Sequence, residues 1–170
     1  AGPVHLSTPR GVRRINVQSA QEMLVAVEDQ AQSASVFIAT AAVADWRPAA
    51  PSSEKIKKDG SGLPPTLGFI ENPDILAGVA HSPRALSREL FCVGFAAESH
   101  DLLAHATAKR IRKGVPLLVG NIGPAAFGQD DNALLLVDAE GARELPRASK
   151  RVLAQQLMAE IATRLLSQRA

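Results

Sequence analysis

Three apolar runs in this chain end alike: "AAVAD" closes on Asp45, "VGFAAE" on Glu98 and "LLVGN" on Asn121. Each passes from core residues to small ones and then to one polar side chain. In open α/β sheets, ligands bind outside the carboxyl ends of the strands, where small residues let a ligand approach the backbone. Asp45, Glu98 and Asn121 are therefore expected near one crevice, although Asp45 and Glu98 would serve equally well as caps of loops or following helices. Ten residues after Asp45, "EKIKK" sets Lys55, Lys57 and Lys58 within four positions. Such a run is ordinarily a solvated loop. If extended, it puts Lys55 and Lys57 on one face. A mobile cationic loop of this kind can also neutralise charge that builds on a polyphosphate in a transition state.

In "ENPDIL", Asn72 suits a helix N-cap, Pro73 the first helical position and Asp74 the first turn. Capping accounts for all three residues, and the same helix start offers unpaired N–H groups to an anion. Lys109 and Lys113 are four apart on a predicted helix, roughly opposite Ala104, Ala108 and Ile111. That spacing predicts a face turned away from the core, near a C-terminus that favours cations anyway. Neither G-x-G-x-x-G nor G-x-x-x-x-G-K-[ST] occurs, so a standard dinucleotide or P-loop site is not supported. The single cysteine, Cys92, sits in the apolar run "LFCVGFAA". It reads as a buried thiol, with no disulfide framework and in keeping with a reducing compartment.

Strand-like and helix-like segments alternate to hold these residues. "VRRINV" (12–17) reads as a strand, and "SAQEMLVAVEDQ" as a helix capped by Ser19, with Glu22 three residues on. "SVFIATAAVA" (35–44) has the pattern of a strand buried on both faces. The proline- and serine-rich stretch 46–65 is a flexible loop, "TLGFI" a short strand and "NPDILAGVA" the start of a helix. Next come the buried strand "LFCVGFAA", the helix "DLLAHATAKRIRK" and the strand "VPLLVGN". "NALLLVDAEGARELP" predicts two strands around a turn near Glu140 and Gly141. In the closing helix Leu153, Leu157, Ile161 and Leu165 recur every fourth residue along one face. The fold expected is α/β and Rossmann-like: a doubly wound, mainly parallel sheet with helices on both faces and a C-terminal β-hairpin, in a single domain over 1–170.

Composition bounds the partners. Of the 170 residues 46% are hydrophobic, enough for a full core, and 19 basic against 17 acidic residues leave a net charge of +2. That balance does not point to nucleic acid, which draws basic residues onto one face. No apolar stretch reaches the ~18 residues that span a bilayer, and no signal peptide is recognisable. A cytoplasmic location without membrane contact is the expectation.

Taken in order, "AAVADWRP", "EKIKK", "NPDIL", "VGFAAES", "KRIRKG" and "FGQDDN", with the opening "GPVHLSTPRGVRRINVQSAQEM", resemble the phosphopantothenoylcysteine synthetase domain of the bifunctional coenzyme A biosynthesis protein. The resemblance implies ligation of 4′-phosphopantothenate to cysteine, driven by CTP with Mg2+, through an acyl-cytidylate and with loss of pyrophosphate. It implies that Asp45, Lys55, Asn72, Pro73, Asp74, Ile75, Phe95, Lys109 and Lys113 contact the nucleotide, with Lys55 also catalytic. Ala41 and Ala42 would lie where backbone approaches the ligands. It further implies a homodimer, magnesium brought by the triphosphate and not held in a protein cage, and a parent protein carrying a flavin-dependent decarboxylase domain. No flavin is expected on this chain. The family's first strand and its "S-N-x-S-S-G-K"-like loop are absent from these residues, and Trp46 stands where a tyrosine is usual. These residues alone are thus expected to bind CTP weakly and to turn over slowly. The alternative is a nucleotide-binding or dimerisation fragment with little ligase activity of its own.

Overall fold

Leu117, Leu118 and Val119 are consecutive residues with no exposed surface, so the strand that carries them is covered on both faces. The computed structural model describes residues 1–52, 54–58, 60, 62–122 and 128–169. The chain forms two units, residues 1–26 with 41–74, and residues 27–40 with 75–170. The first helix, α1 (Ala20–Ala31), runs across the division. It starts as its sequence predicts: the Ser19 hydroxyl accepts from the Glu22 amide at 3.2 Å, and the Glu22 carboxylate accepts from the Gln18 amide at 2.8 Å.

The larger unit is built on a five-stranded sheet. Its strands are β1 (Val36–Ala39), β4 (Phe91–Glu98), β5 (Leu117–Ile122), β6 (Asp131–Val137) and β7 (Ala142–Ser149), in that spatial order. β1, β4 and β5 are parallel, while β5–β6 and β6–β7 are antiparallel. Side chains alternate between two cores. Phe91, Val93, Leu117, Val119, Leu134 and Leu136 pack with Leu153, Leu157 and Ile161 of the closing helix α5 (Lys150–Arg169). The four-residue spacing of those three α5 residues therefore buries one stripe, with Leu165 half-buried at its end. On the opposite face Gly94 and Gly120 meet Leu76 of α2 (Ile75–Ala80) and Leu102 and Ala106 of α4 (Leu102–Lys113). A short α3 (Pro83–Leu86) follows α2, and its Arg84 guanidinium donates to the Ala31 carbonyl at the end of α1, at 2.6 Å. The α/β class, the helices on both faces and the terminal hairpin are as the sequence predicts.

Two strand expectations need correction, as does the loop expected over 46–65, whose first three residues, Trp46–Pro48, form a strand. Residues 12–17 form no strand among the described residues; they are held singly, with Arg14 donating to the Leu6 and Val4 carbonyls at 2.6 and 3.1 Å. A β-prone sequence still needs a neighbouring strand to form a ladder. The run 35–44 forms a strand only over Val36–Ala39, and it is half-buried because β1 is the sheet's edge. Residues 41–44 pass into the other unit, where Ala41, Ala42 and Ala44 are exposed. An apolar run reports the company a strand keeps less reliably than its length suggests.

The smaller unit holds a two-stranded antiparallel sheet, β2 (Trp46–Pro48) and β3 (Phe69–Glu71). Single bonds extend the ladder at both ends, from the Ala49 amide to the Gly68 carbonyl at 2.9 Å and from the Asn72 amide to the Asp45 carbonyl at 2.8 Å.

Candidate functional site

The antiparallel register of β2 and β3 sets Asp45 opposite Asn72. Asn72 is further tied by its own side chain: its amide group donates to the Ala44 carbonyl at 2.8 Å and accepts from Arg47 at 3.0 Å. Arg47 also donates to the Glu71 carbonyl at 2.7 Å. Asn72 thus holds the hairpin end and does not cap α2, which begins only at Ile75. This corrects the capping assignment for Asn72 and Pro73; Asp74 is the residue just before the helix. Asp45 is likewise not at the tip of the core strand but just before β2, with its side chain exposed. Its neighbours Ala41 and Ala42 are exposed, and the Ala41 carbonyl accepts from the Val43 amide at 3.2 Å in a tight turn. Lys55, Lys57 and Lys58 are all exposed in the segment joining β2 to β3, outside regular structure.

In the larger unit, Ile75 opens α2 as a buried residue, and Phe95 lies half-buried on the α5 face of β4. Glu98, the last residue of β4, points to the other face, toward α4. There its carboxylate meets His105 at 3.6 Å and Lys109 at 3.8 Å. The helix face predicted for Lys109 and Lys113 is reversed. Ala104, Ala108 and Ile111 are exposed, whereas Ala106 is fully buried and Lys109 and Lys113 are half-buried on its side. The physical reason is Gly120. A Cβ there would stand 2.9 Å from Leu102, so the bare backbone lets α4 settle on β5 along the Leu102–Ala106 line. Helical spacing then carries Lys109 under the helix and back toward the strand tip.

Of the three strand-end residues, two lie at neighbouring strand ends: Ala97 pairs with Asn121, and Glu98 is the next residue along. Alternation puts the half-buried Asn121 on the Phe95 side and Glu98 on the α4 side. Asp45 belongs to the smaller unit. Phe127 of "FGQDDN" lies outside the described residues.

Cys92 is buried, and burial pushes its thiol up to about 11, so it is an inert core residue at neutral pH. Among the described residues no three of His, Cys, Asp and Glu gather as a metal-binding group. Asp45, an exposed carboxylate, could supply one ligand to a magnesium ion whose other ligands are phosphate oxygens and water. Sequence reasoning missed Arg47 and His105. Neither carries a local signal, because each acquires its role only from the residue it meets across a register or a helix turn.

A mainly parallel α/β sheet with Glu98 at the tip of β4 and Lys109 of α4 beside it is of the class of fold in which ligands bind outside the carboxyl ends of the strands. The family model for the C-terminal domain of DNA/pantothenate metabolism flavoproteins matches residues 1–165, and the chain belongs to that family. It is 45% identical over 162 residues to the coenzyme A biosynthesis bifunctional protein CoaBC of Vibrio cholerae, covering 93% of this chain and 40% of that protein. It is 42% identical over 172 residues to the CoaBC protein of Escherichia coli, covering 96% of this chain and 41% of that protein. The crystal structure of a CoaBC C-terminal domain superposes with a TM-score of 0.77 at 28% identity, over 98% of this chain and 72% of that one. The chain thus spans about two fifths of the length of the curated relatives it matches. No helix among the described residues is long and apolar enough to cross a membrane.

Proposed function

We propose that this chain serves, within a longer protein, as the phosphopantothenate–cysteine ligase domain of coenzyme A biosynthesis. In the first step a 4′-phosphopantothenate carboxylate oxygen attacks the α-phosphorus of CTP, and pyrophosphate leaves. In the second, the cysteine amine attacks the acyl carbon, CMP leaves and the amine loses a proton. The observation that carries this reading is the family match over residues 1–165. The cation distribution supports it. A triphosphate needs positive charge, and Lys55 is solvent-exposed in a long loop, while Lys109 is paired with Glu98 at 3.8 Å, longer than a hydrogen bond.

In this reading Asp45, Asn72, Pro73, Asp74, Ile75 and Phe95 contact the nucleotide, Lys109 and Lys113 its phosphates, and Ala41 and Ala42 approach the ligands through their backbone. Lys55 moves onto the phosphates as charge builds. Magnesium arrives with the triphosphate, where it neutralises phosphate charge. The protein is cytoplasmic, and a flavin-dependent decarboxylase domain shares the longer chain. It works as a homodimer. The β2–β3 register puts Trp46, Pro48, Phe69 and Glu71 on one face, with Trp46 and Phe69 61% and 57% exposed, a mostly apolar surface suited to a second copy.

The test is pyrophosphate release by the full-length protein with CTP, phosphopantothenate and cysteine, alongside melting with CTP or ATP. Release that needs both phosphopantothenate and CTP, with a larger melting shift for CTP, is expected. Absence of release would refute ligation, and a shift without release would favour a nucleotide-binding role alone.

A further inference from the structure

A carboxylate at an edge that receives a polyphosphate would repel it unless that carboxylate is itself engaged. Glu98 is engaged twice. Its Oε1 lies 3.8 Å from Lys109 Nζ, and its Oε2 lies 3.6 Å from His105 Nδ1. The two partners are four residues apart, so one carboxylate at the strand tip spans one turn of α4. The Glu98 and Lys109 side chains are only 23% and 28% exposed, shielded enough for their attraction to restrict where the ammonium goes. Both distances exceed a hydrogen bond, which leaves the ammonium donors aimed by the carboxylate and not consumed by it. His105 also makes an edge-to-face contact with His100, ring centres 5.1 Å apart.

Lys109 is also a residue that helix geometry alone would lose. It lies near the C-terminal end of α4, the end that in a β–α–β unit leads away from the strand tips. Two features bring its head group back. Gly120 allows the close approach of Leu102 and Ala106 to β5, and Glu98 then supplies a fixed negative point at the tip of β4. A lysine with four free torsions and no such anchor would spread over many rotamers.

We infer that Glu98 is a positioning residue: it holds the Lys109 ammonium at the carboxyl edge of β4, ready for the nucleotide phosphates. The inference rests on the ligase reading for its purpose, though the restraint on Lys109 is a property of the free protein. The test uses the full-length protein with Glu98→Gln, Glu98→Asp, Lys109→Met and the double variant Glu98→Gln/Lys109→Met. Acetic anhydride labelling of Lys109, followed by mass spectrometry against exposed Lys57, reads the restraint directly and needs no turnover. Labelling of Lys109 is expected to rise about threefold or more in Glu98→Gln and to return part of the way in Glu98→Asp, which keeps the charge and stands in should Glu98→Gln fail to fold.

In the pyrophosphate assay, Glu98→Gln is expected to raise the KM for CTP about tenfold with kcat changed less than about twofold, the pattern of a lost binding contact. The double variant should be no worse than Lys109→Met alone, because Glu98 acts through that lysine. Unchanged labelling in Glu98→Gln overturns the inference. So does a double variant whose loss is the full product of the two single losses. If the wild-type protein releases no pyrophosphate, the ligase reading fails and takes the assigned purpose with it, while labelling still decides whether Glu98 restrains Lys109.

Discussion

Replacing Asp138 should loosen the β6–β7 hairpin by an amount the structure lets us apportion. One carboxylate oxygen accepts from the Glu140 and Gly141 amides at 2.9 and 3.0 Å, closing the turn between the strands. The other accepts from Arg164 of α5 at 2.6 Å, and Arg164 also reaches Glu160 at 2.9 Å. The Asp138 and Arg164 side chains are 15% and 23% exposed, so neither is screened as a surface pair would be. A hydrogen bond to a charged group contributes about 1.5–3 kcal/mol, and a neutral one about 1 kcal/mol. Asp138→Asn keeps an oxygen for the turn but presents an uncharged amide to Arg164, so about 1.5–2.5 kcal/mol should be lost. Asp138→Ala loses the turn as well, so about 3–4 kcal/mol is expected.

The pH dependence has a definite sign. Burial raises the Asp138 pKa, but the bonds from Arg164 and the two amides outweigh it and leave the carboxyl below its usual value of 3.8. A carboxyl depressed on folding stabilises the protein fully above its unfolded pKa, and that stabilisation fades as pH falls through the folded one. The melting-temperature gap between wild type and Asp138→Asn should therefore be constant near neutrality and shrink below about pH 4. Hydrogen exchange at Glu140 and Gly141 should quicken in Asp138→Ala and much less in Asp138→Asn. A gap that stays constant into acid, or an Asp138→Ala loss under about 0.5 kcal/mol, would refute the reasoning.

Packing around the two strand glycines sets an order of damage. A Cβ on Gly94 would stand 2.8 Å from both Leu118, fully buried, and Leu76, whereas one on Gly120 would press on Leu102, which is half-buried and can swing outward. Thermal melts should show Gly94→Ala losing about 1–3 kcal/mol and Gly120→Ala clearly less, and the reverse order would contradict the packing described. In the full-length protein Lys55→Gln should leave the melt unchanged and lower the ligation rate about tenfold or more, equivalent to at least ~1.4 kcal/mol of barrier; unaltered kinetics would make "EKIKK" a solvated loop and nothing more. Trp46→Ser with Phe69→Ser should shift sedimentation from dimer to monomer, and an undisturbed dimer would place the contact elsewhere.

Much of the fold is legible in the sequence because its signals are local or periodic. Ser19 and Glu22 announce a helix start, Glu140 and Gly141 a turn, and the spacing of Leu153, Leu157 and Ile161 the buried stripe of α5, and each is realised in place. What failed depended on neighbours. "VRRINV" has the composition of a strand and pairs with no strand among the described residues; "SVFIATAAVA" is divided between an edge strand and an exposed turn in another unit.

For the candidate site the division is similar. The residue types were visible: a strand-end carboxylate, a lysine loop, two helix lysines, and an Asn-Pro-Asp run whose helix-capping logic proved misleading because β-register claimed Asn72 first. Which face α4 would bury was not visible, since its only fully buried side chain is an alanine and the deciding feature is a missing Cβ on a strand beyond the helix. Hydrophobic period and capping act over a few residues of one chain segment, so sequence fixes them. The meeting of Glu98 with Lys109 needs two elements at one distance, and only their packing decides that.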